Sequence, residues 1–246
     1  MHHGDESCTR VIAGLACALL IGAAQPRLAP AQELAPSVNP PDPHPSAAAE
    51  AAQRKVDAAV QAVASMKQDP HVVALLAAAR GVLIVPHYRE GAAIIGGHGG
   101  VGVLLARRHG VWSDPVFYRL GGVSIGLQAG GASGTIALFL MNDQAVDQFR
   151  DQLSTWSLGG RAGLTVADFS KQRQHLAKGP DVIVWTHVKG LFGGASLGAT
   201  DVTPDTSSDH AYYHSPVAPL QILVGAVRNP RADALREALD TPVALN

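Results

Sequence analysis

Two serines stand in the pattern that many hydrolases use for a nucleophile. Gly122–Gly126 and Gly194–Gly198 both read G-x-S-x-G, with Ser124 and Ser196 at their centres. In a hydrolase, that serine occupies a strained turn between a strand and a helix, and a histidine nearby acts as its base. Here the residues after each serine favour strand, and two similar copies indicate a repeated structural element. We therefore expect no catalytic residue, and keep a serine hydrolase using Ser124 or Ser196 as an alternative.

Two further motifs are typical of cofactor or metal sites. Gly97–Gly102 reads G-x-G-x-x-G, which binds a dinucleotide when it opens a helix whose amides hold the pyrophosphate. The residues that follow, Val103–Gly110, are β-prone and end in a turn, so we expect a strand there. His210 and His214 have the i, i+4 spacing of helical metal ligands, but the sequence offers no obvious third ligand. We expect neither a cofactor nor a bound metal.

Basic side chains offer a different chemistry, because exposed arginine and lysine attract the phosphates of anionic lipids. Arg107, Arg108 and His109 stand directly before Gly110, where the sequence predicts a hairpin tip. The alternative is that the charged tip is only exposed to water and binds no ligand. The candidate lipid-binding residues are Arg54, Lys55, Arg80, Arg89, Arg107 and Arg108.

The composition narrows the class of protein. The chain has 246 residues, of which 47% are hydrophobic, and this excludes a wholly disordered protein. Its 19 lysines and arginines against 20 aspartates and glutamates give a formal net charge of -1. Since a dedicated nucleic-acid-binding domain carries a clear basic excess, we expect no nucleic-acid partner.

The N-terminal residues have the features of a secretory signal. Arg10 precedes the apolar run Val11–Ala24, and Ala29-Pro30-Ala31 forms an A-x-A cleavage pattern. We predict a signal peptide over 1–31, with a retained anchor as the alternative. A Pro-rich linker over 32–48 follows, which favours polyproline II. With such a signal, we expect the protein to be exported and to be periplasmic or peripheral to the membrane of the cell envelope.

Both cysteines of the chain, Cys8 and Cys17, lie within the predicted signal. Cleavage after Ala31 would leave no thiol, hence no disulfide and no cysteine-bound metal. A lipoprotein anchor at Cys17 is the alternative, although Leu15-Ala16-Cys17 is a poor match to a lipobox.

Helices are predicted at both ends of the folded part. Val56, Val60 and Val63 form an apolar stripe in a helix over 46–67. Asp69 and Pro70 predict the start of a second helix that runs to residue 79. A further helix is predicted over 142–153, with Asn142 as its N-cap. Another is predicted over 229–239, where Asn229 and Pro230 mark its start.

Between the helices, 22 of the 26 glycines fall within residues 81–200, among short β-branched runs. The runs are too closely spaced for helical crossovers, so the sheet should be mainly antiparallel. Frequent glycines predict strong curvature, in a sheet that is open or closed into a barrel. The fold class is α+β. The predicted strands are 82–85, 92–95, 101–106, 116–120, 123–129, 135–141, 161–166, 182–187 and 195–202.

Six short segments follow one another along about 120 residues in an order that is typical of one family. They are Ala79–Pro86, Gly96–Leu104, Trp112–Tyr118, Gly121–Gly130, Leu138–Asn142 and Lys189–Leu197. This order resembles the SYLF domain family, also called the Ysc84-type lipid- and actin-binding family, over a domain at 49–241. The resemblance implies a non-enzymatic domain that binds membrane lipid, including phosphoinositides in eukaryotic members, and actin in some fungal members. An exported chain would not meet actin.

We therefore predict a non-enzymatic lipid-binding module of the bacterial cell envelope, which contacts the head groups of anionic phospholipids. Besides the hydrolase, a scaffold that binds other envelope proteins is the remaining alternative. A scaffold of that kind would not respond to lipid vesicles.

Overall fold

The computed structural model describes residues 46–92, 95–125, 130–150, 155–157, 165–168, 179–189 and 200–240. In these residues no helix is both long and apolar enough to cross a membrane. The helices are α1 (Ala47–Met66), α2 (Pro70–Ala78), α3 (Asp143–Asp147), α4 (Thr206–Tyr213), α5 (Pro219–Leu223) and α6 (Asp233–Asp240). The strands are β1 (Gly81–Ala92), β2 (Ile95–Arg108), β3 (Val111–Trp112), β4 (Val116–Ile125), β5 (Gly130–Leu140), β6 (Trp156–Ser157), β7 (Val166–Asp168), β8 (Val182–Lys189) and β9 (Asp201–Pro204).

The first two helices each begin directly after a capping residue, of which Asp69 is the predicted one. The Ser46 hydroxyl accepts a hydrogen bond of 3.1 Å from the backbone N–H of Ala49, at the start of α1. The Asp69 carboxylate accepts one of 2.9 Å from the N–H of His71, and Pro70 is the first residue of α2. Each cap satisfies a helix-end N–H that has no partner within the helix. Both predicted helices are confirmed.

The strands form one sheet in the order β6-β9-β4-β2-β1-β5-β8-β7, with β3 paired to β2. Neighbouring strands are antiparallel except for β7 and β8, which are parallel. The predicted α+β class with a mainly antiparallel sheet is confirmed. Of the two predicted forms, the described strands adopt the open one, because β6 and β7 are the edge strands of the sheet and do not pair with each other.

The sheet is covered on both faces. On β1, Leu83 and Val85 belong to a core cluster shared with residues of α3 and α5. Their neighbours Val82 and Ile84 belong to a second cluster shared with α1, α2 and α6. Because successive side chains of a strand point to opposite faces, a strand buried on both faces is a continuous apolar run. This explains the run of apolar residues at 82–85.

Glycines interrupt the strands less often than we predicted. Of the strand predicted over 92–95, Ala92 is the last residue of β1 and Ile95 the first of β2, and the two residues between them lie outside the described residues. The runs 116–120 and 123–125 belong to the single strand β4, which continues through two glycines. The helix predicted to end at 153 has the predicted Asn142 cap but ends at Asp147. Most of the strands predicted over 161–166 and 195–202, and residues 1–45, lie outside the described residues.

Candidate functional site

A tight hairpin between β2 and β3 projects from one end of the sheet. Arg108 pairs with Val111, and the two residues between them, His109 and Gly110, have φ values of 50° and 82°. Two consecutive positive φ angles are typical of the type I′ turn, which matches the twist of paired strands. The turn leaves Arg108, His109 and Val111 exposed, as expected of a hairpin tip.

A cavity of about 360 Å³ lies beside this hairpin, and we refer to it as the basic cavity. It brings together three of the predicted lipid-binding residues, a fourth arginine and one histidine, against two carboxylates. The lining residues are Arg80, Ala106, Arg107, Arg108, His109, Asp143, Val146, Asp147 and Arg150. A concave surface with an excess of guanidinium groups is suited to binding a phosphate or carboxylate.

The arginines of the basic cavity differ in how far they are already paired. Arg150 forms an ion pair of 2.6 Å with Asp147. The side chains of Arg80 and Arg108 are exposed, and neither forms an ion pair or hydrogen bond with any residue that the structure describes. The main chain joins Arg80 to the residue before Arg108, since the N–H of Arg107 donates a 2.7 Å hydrogen bond to the carbonyl of Arg80, and Arg80 and Arg108 both line the basic cavity. Their guanidinium groups are therefore available to a ligand.

Arg107 has a structural role instead. Its Nη1 donates hydrogen bonds of 3.2 and 3.0 Å to the carbonyls of Leu76 and Ala77, at the end of α2. Its guanidinium lies 4.3 Å from the centre of the Trp112 ring and 3.7 Å from a carboxylate oxygen of Asp240. A cation at the C-terminus of a helix satisfies carbonyls that lack an intrahelical partner. Replacing Arg107 would therefore disturb the fold as well as the cavity.

The other three candidate residues lie elsewhere. Lys55 on α1 donates a 2.8 Å hydrogen bond to the Ser208 hydroxyl and lies 3.7 Å from Asp205, so it joins α1 to α4. Arg54 on the same helix is exposed, 3.9 Å from Glu50. Arg89 is exposed on β1, eight residues from Gly81 and hence about 26 Å from the hairpin end of the sheet.

The buried carboxylate of Asp114 keeps another exposed arginine, Arg228, near the hairpin. Asp114 is fully buried and accepts hydrogen bonds from the N–H of Asn229 and from Arg236. Arg228, which is more than half exposed, lies 3.7 Å from the same carboxylate. Burial raises the pKa of Asp114 above its ordinary value, although these N–H and guanidinium groups oppose the shift. Since Asp114 follows Trp112 by two residues, it fixes the segment at 228–229 beside the hairpin.

Of the residues in the catalytic and metal-binding motifs, the structure describes Ser124, His210 and His214. Ser124 lies within β4, paired with Gly96, and not on a turn between a strand and a helix. Ser196 lies outside the described residues. His210 and His214 are exposed, and α4 ends at Tyr213, with His214 as a left-handed C-cap. The described ranges contain no group of three side chains placed to hold a metal.

Comparison with known proteins links part of the chain to one family. The family model for Ysc84, described as Las17-binding protein actin regulator, matches residues 121–241. Residues 121–241 therefore resemble the Ysc84 family. The chain is also similar to SH3 domain-containing protein PJ696.02 of Schizosaccharomyces pombe, with 24% identity over 176 residues. That alignment covers 69% of this chain and 40% of the relative, so the chain spans well under half of that protein. No solved structure gives a significant match.

The Ysc84 match confirms the predicted resemblance and supports a non-enzymatic binding module. The match begins within β4, so Arg150 and Arg228 lie inside it, whereas Arg80, directly before β1, and Arg108, at the end of β2, precede it. Sequence reasoning missed Arg150 and Arg228 because neither stands in a motif. They reach the hairpin only through the packing of α3 and the segment after α5.

Proposed function

We propose that this chain, which resembles the Ysc84 family, binds the surface of anionic membranes through the hairpin end of its sheet. The observation that carries the proposal is the basic cavity, where Arg80 and Arg108 lie together and exposed while most other charges nearby are paired. The chain as a whole has a net charge of -1, so its attraction to phosphates must be local. The alternatives, a hydrolase and a scaffold, have no described cluster of side chains in their favour.

The expected strength of this attraction follows from the number of charges. Each basic residue close to an anionic surface contributes about 1 kcal/mol at physiological ionic strength. Arg80 and Arg108 together then supply about 2 kcal/mol, which corresponds to about 30-fold in affinity. Because the interaction is electrostatic, it should weaken as salt is added.

Reversing both charges should abolish most of this binding. We expect the double variant Arg80→Glu, Arg108→Glu to bind vesicles of phosphatidylcholine and phosphatidylglycerol at least about 30-fold more weakly than the unaltered chain. Co-sedimentation of the full chain at low and high salt measures the effect, with phosphatidylcholine vesicles for comparison. The N-terminal apolar run is common to both proteins, so their difference reports on the hairpin end. Both substituted side chains are exposed, and circular dichroism checks that the fold is retained.

The matched control is Arg54→Glu with Arg89→Glu, which changes the net charge equally at two exposed sites away from the basic cavity. This control should bind nearly as well as the unaltered chain. An equal loss in both double variants would mean that binding follows net charge rather than the hairpin. If the unaltered chain ignores anionic vesicles altogether, lipid binding is wrong and the scaffold alternative gains support.

We also propose that the chain acts outside the cytoplasm. The support is the sequence alone, in which Arg10 and the run Val11–Ala24 precede the A-x-A pattern ending at Ala31. We expect the intact mass of the protein from its native cells to correspond to a chain that begins at Gln32. A mass that retains residues 1–31 without modification would contradict cleavage, and added lipid mass at Cys17 would favour a lipoprotein.

A further inference from the structure

Three large apolar side chains are exposed in the part of the chain that the structure describes, and two share one surface. Val111 at the hairpin tip is 59% exposed, Leu220 on α5 is 45% exposed and Val224 directly after α5 is 41% exposed. Val111 and Val224 line the same groove, whose volume is about 440 Å³ and which we call the apolar groove. Leu220 precedes Val224 by four residues and so lies on the same side of α5.

The ionisable side chains that line the apolar groove are basic. Among the described lining residues these are Arg108, His109 and Arg228, and the nearest carboxylate, Asp114, is buried behind Arg228. Arg108 and His109 also line the basic cavity, so the hairpin separates a cationic concavity from an apolar one. Apolar side chains at a projecting tip, flanked by arginines, complement a bilayer interface, where hydrocarbon lies just below phosphate.

We propose that Val111, Leu220 and Val224 insert into the acyl-chain boundary of an anionic bilayer, while Arg108 and Arg228 lie at its phosphates. The proposal rests on the membrane binding proposed above and adds a depth and an orientation to it. The hairpin tip enters first, and β1 and β2 run away from the membrane. Arg89 and Ser133, which pair at the opposite end of the sheet, then remain in water.

A fluorescent label at the tip tests the insertion directly. In the full chain carrying Cys8→Ser and Cys17→Ser, Val111→Cys is labelled with an environment-sensitive dye such as NBD. Vesicles contain phosphatidylglycerol and phosphatidylcholine with a doxyl group on the acyl chain. We expect a blue shift and quenching on binding. The matched control is Ser133→Cys with the same dye, which is exposed on β5 and should show neither change.

A second pair of variants separates insertion from charge attraction. Val111→Ser with Val224→Ser keeps every arginine, so binding at low salt should persist. Binding that resists high salt should fall about tenfold, because salt screens charges but not apolar contacts. Tip quenching together with this selective loss supports insertion. A tip label that is not quenched on a chain that does bind vesicles overturns insertion and leaves surface binding intact. Absence of binding to any vesicle overturns both proposals, and quenching at position 133 overturns the orientation.

Discussion

Replacing Gly102 with alanine is expected to lower the free energy of unfolding by about 2–3 kcal/mol. Gly102 lies in the middle of β2, between β1 and β4. An added Cβ would come within 2.6 Å of the Ile84 carbonyl oxygen and 2.7 Å of a Val85 methyl carbon. The carbonyl belongs to the central strand and cannot move without shifting the ladder on both of its sides. The cost therefore exceeds the small gain that alanine brings to a strand over glycine.

Gly97 provides the matched control, because it is the first glycine of the same G-x-G-x-x-G motif. An added Cβ there meets only the Gly122 carbonyl oxygen at 3.9 Å, which is ordinary contact. Gly97→Ala should therefore be neutral or slightly stabilising in urea denaturation followed by circular dichroism. A dinucleotide site would not tolerate Gly97→Ala, since its first glycine makes the tight turn. Equal destabilisation by both substitutions would contradict our account of the glycines.

The parts of the fold that the sequence predicts are those governed by local chemistry. Ser46, Asp69 and Asn142 each accept a hydrogen bond from a backbone N–H at the start of a helix. Such caps act over three residues, so they can be recognised without knowing the fold. The hairpin tip at Arg108 is predicted for the same reason, because the following His-Gly pair suits a turn that needs positive φ.

Strand lengths could not be predicted, because glycine has two opposite meanings in a β-rich sequence. It marks a turn at Gly110, but at Gly102 it marks close approach of neighbouring backbones. Only the register of the sheet separates the two cases. Helices α4 and α5 lack a strong apolar period, and their positions depend on contacts with β4 that are distant in sequence.

The candidate site was predicted in part for similar reasons. Arg80, Arg107 and Arg108 flank elements that pair at one end of the sheet, and they do line one cavity. The position of an arginine near a hairpin tip does not show whether its side chain already has partners within the protein. Arg107 has such partners, because it donates hydrogen bonds to carbonyls at the end of α2. The exposure of Val224 follows from the way α5 packs, which no local pattern reveals.

Asp209 joins α4 to the sheet in an unfavourable setting for a charge. Its side chain is fully buried, and one carboxylate oxygen accepts a 3.0 Å hydrogen bond from the N–H of Phe117. Its pKa is raised to about 7, chiefly by burial and in part by the nearby Asp205, although the Phe117 N–H and Lys55 oppose the shift. The protein therefore favours the neutral acid at this position.

The stability of the protein should consequently depend on the protonation of Asp209. Its pKa in the folded state lies above the ordinary value of 3.8, so the stabilisation is complete below that value and is lost as the pH rises towards 7. We expect Asp209→Asn, which stays neutral, to gain about 2 kcal/mol in free energy of unfolding relative to the unaltered chain between about pH 5.5 and about pH 7.5. Urea denaturation at the two pH values measures this difference.

Asp205, one helical turn earlier, is the control because its pKa is shifted in the opposite direction. Burial alone would raise that pKa, but the hydroxyls of Ser207 and Ser208 and the charges of Arg119 and Lys55 lower it. The stabilisation from Asp205 is therefore already complete at both pH values and is lost only in stronger acid. Asp205→Asn should cost free energy at both pH values, and somewhat less at about pH 7.5, because it removes a charge that raises the pKa of Asp209. If Asp209→Asn also shows no change with pH, the Asp209 carboxylate is charged throughout and burial does not control it.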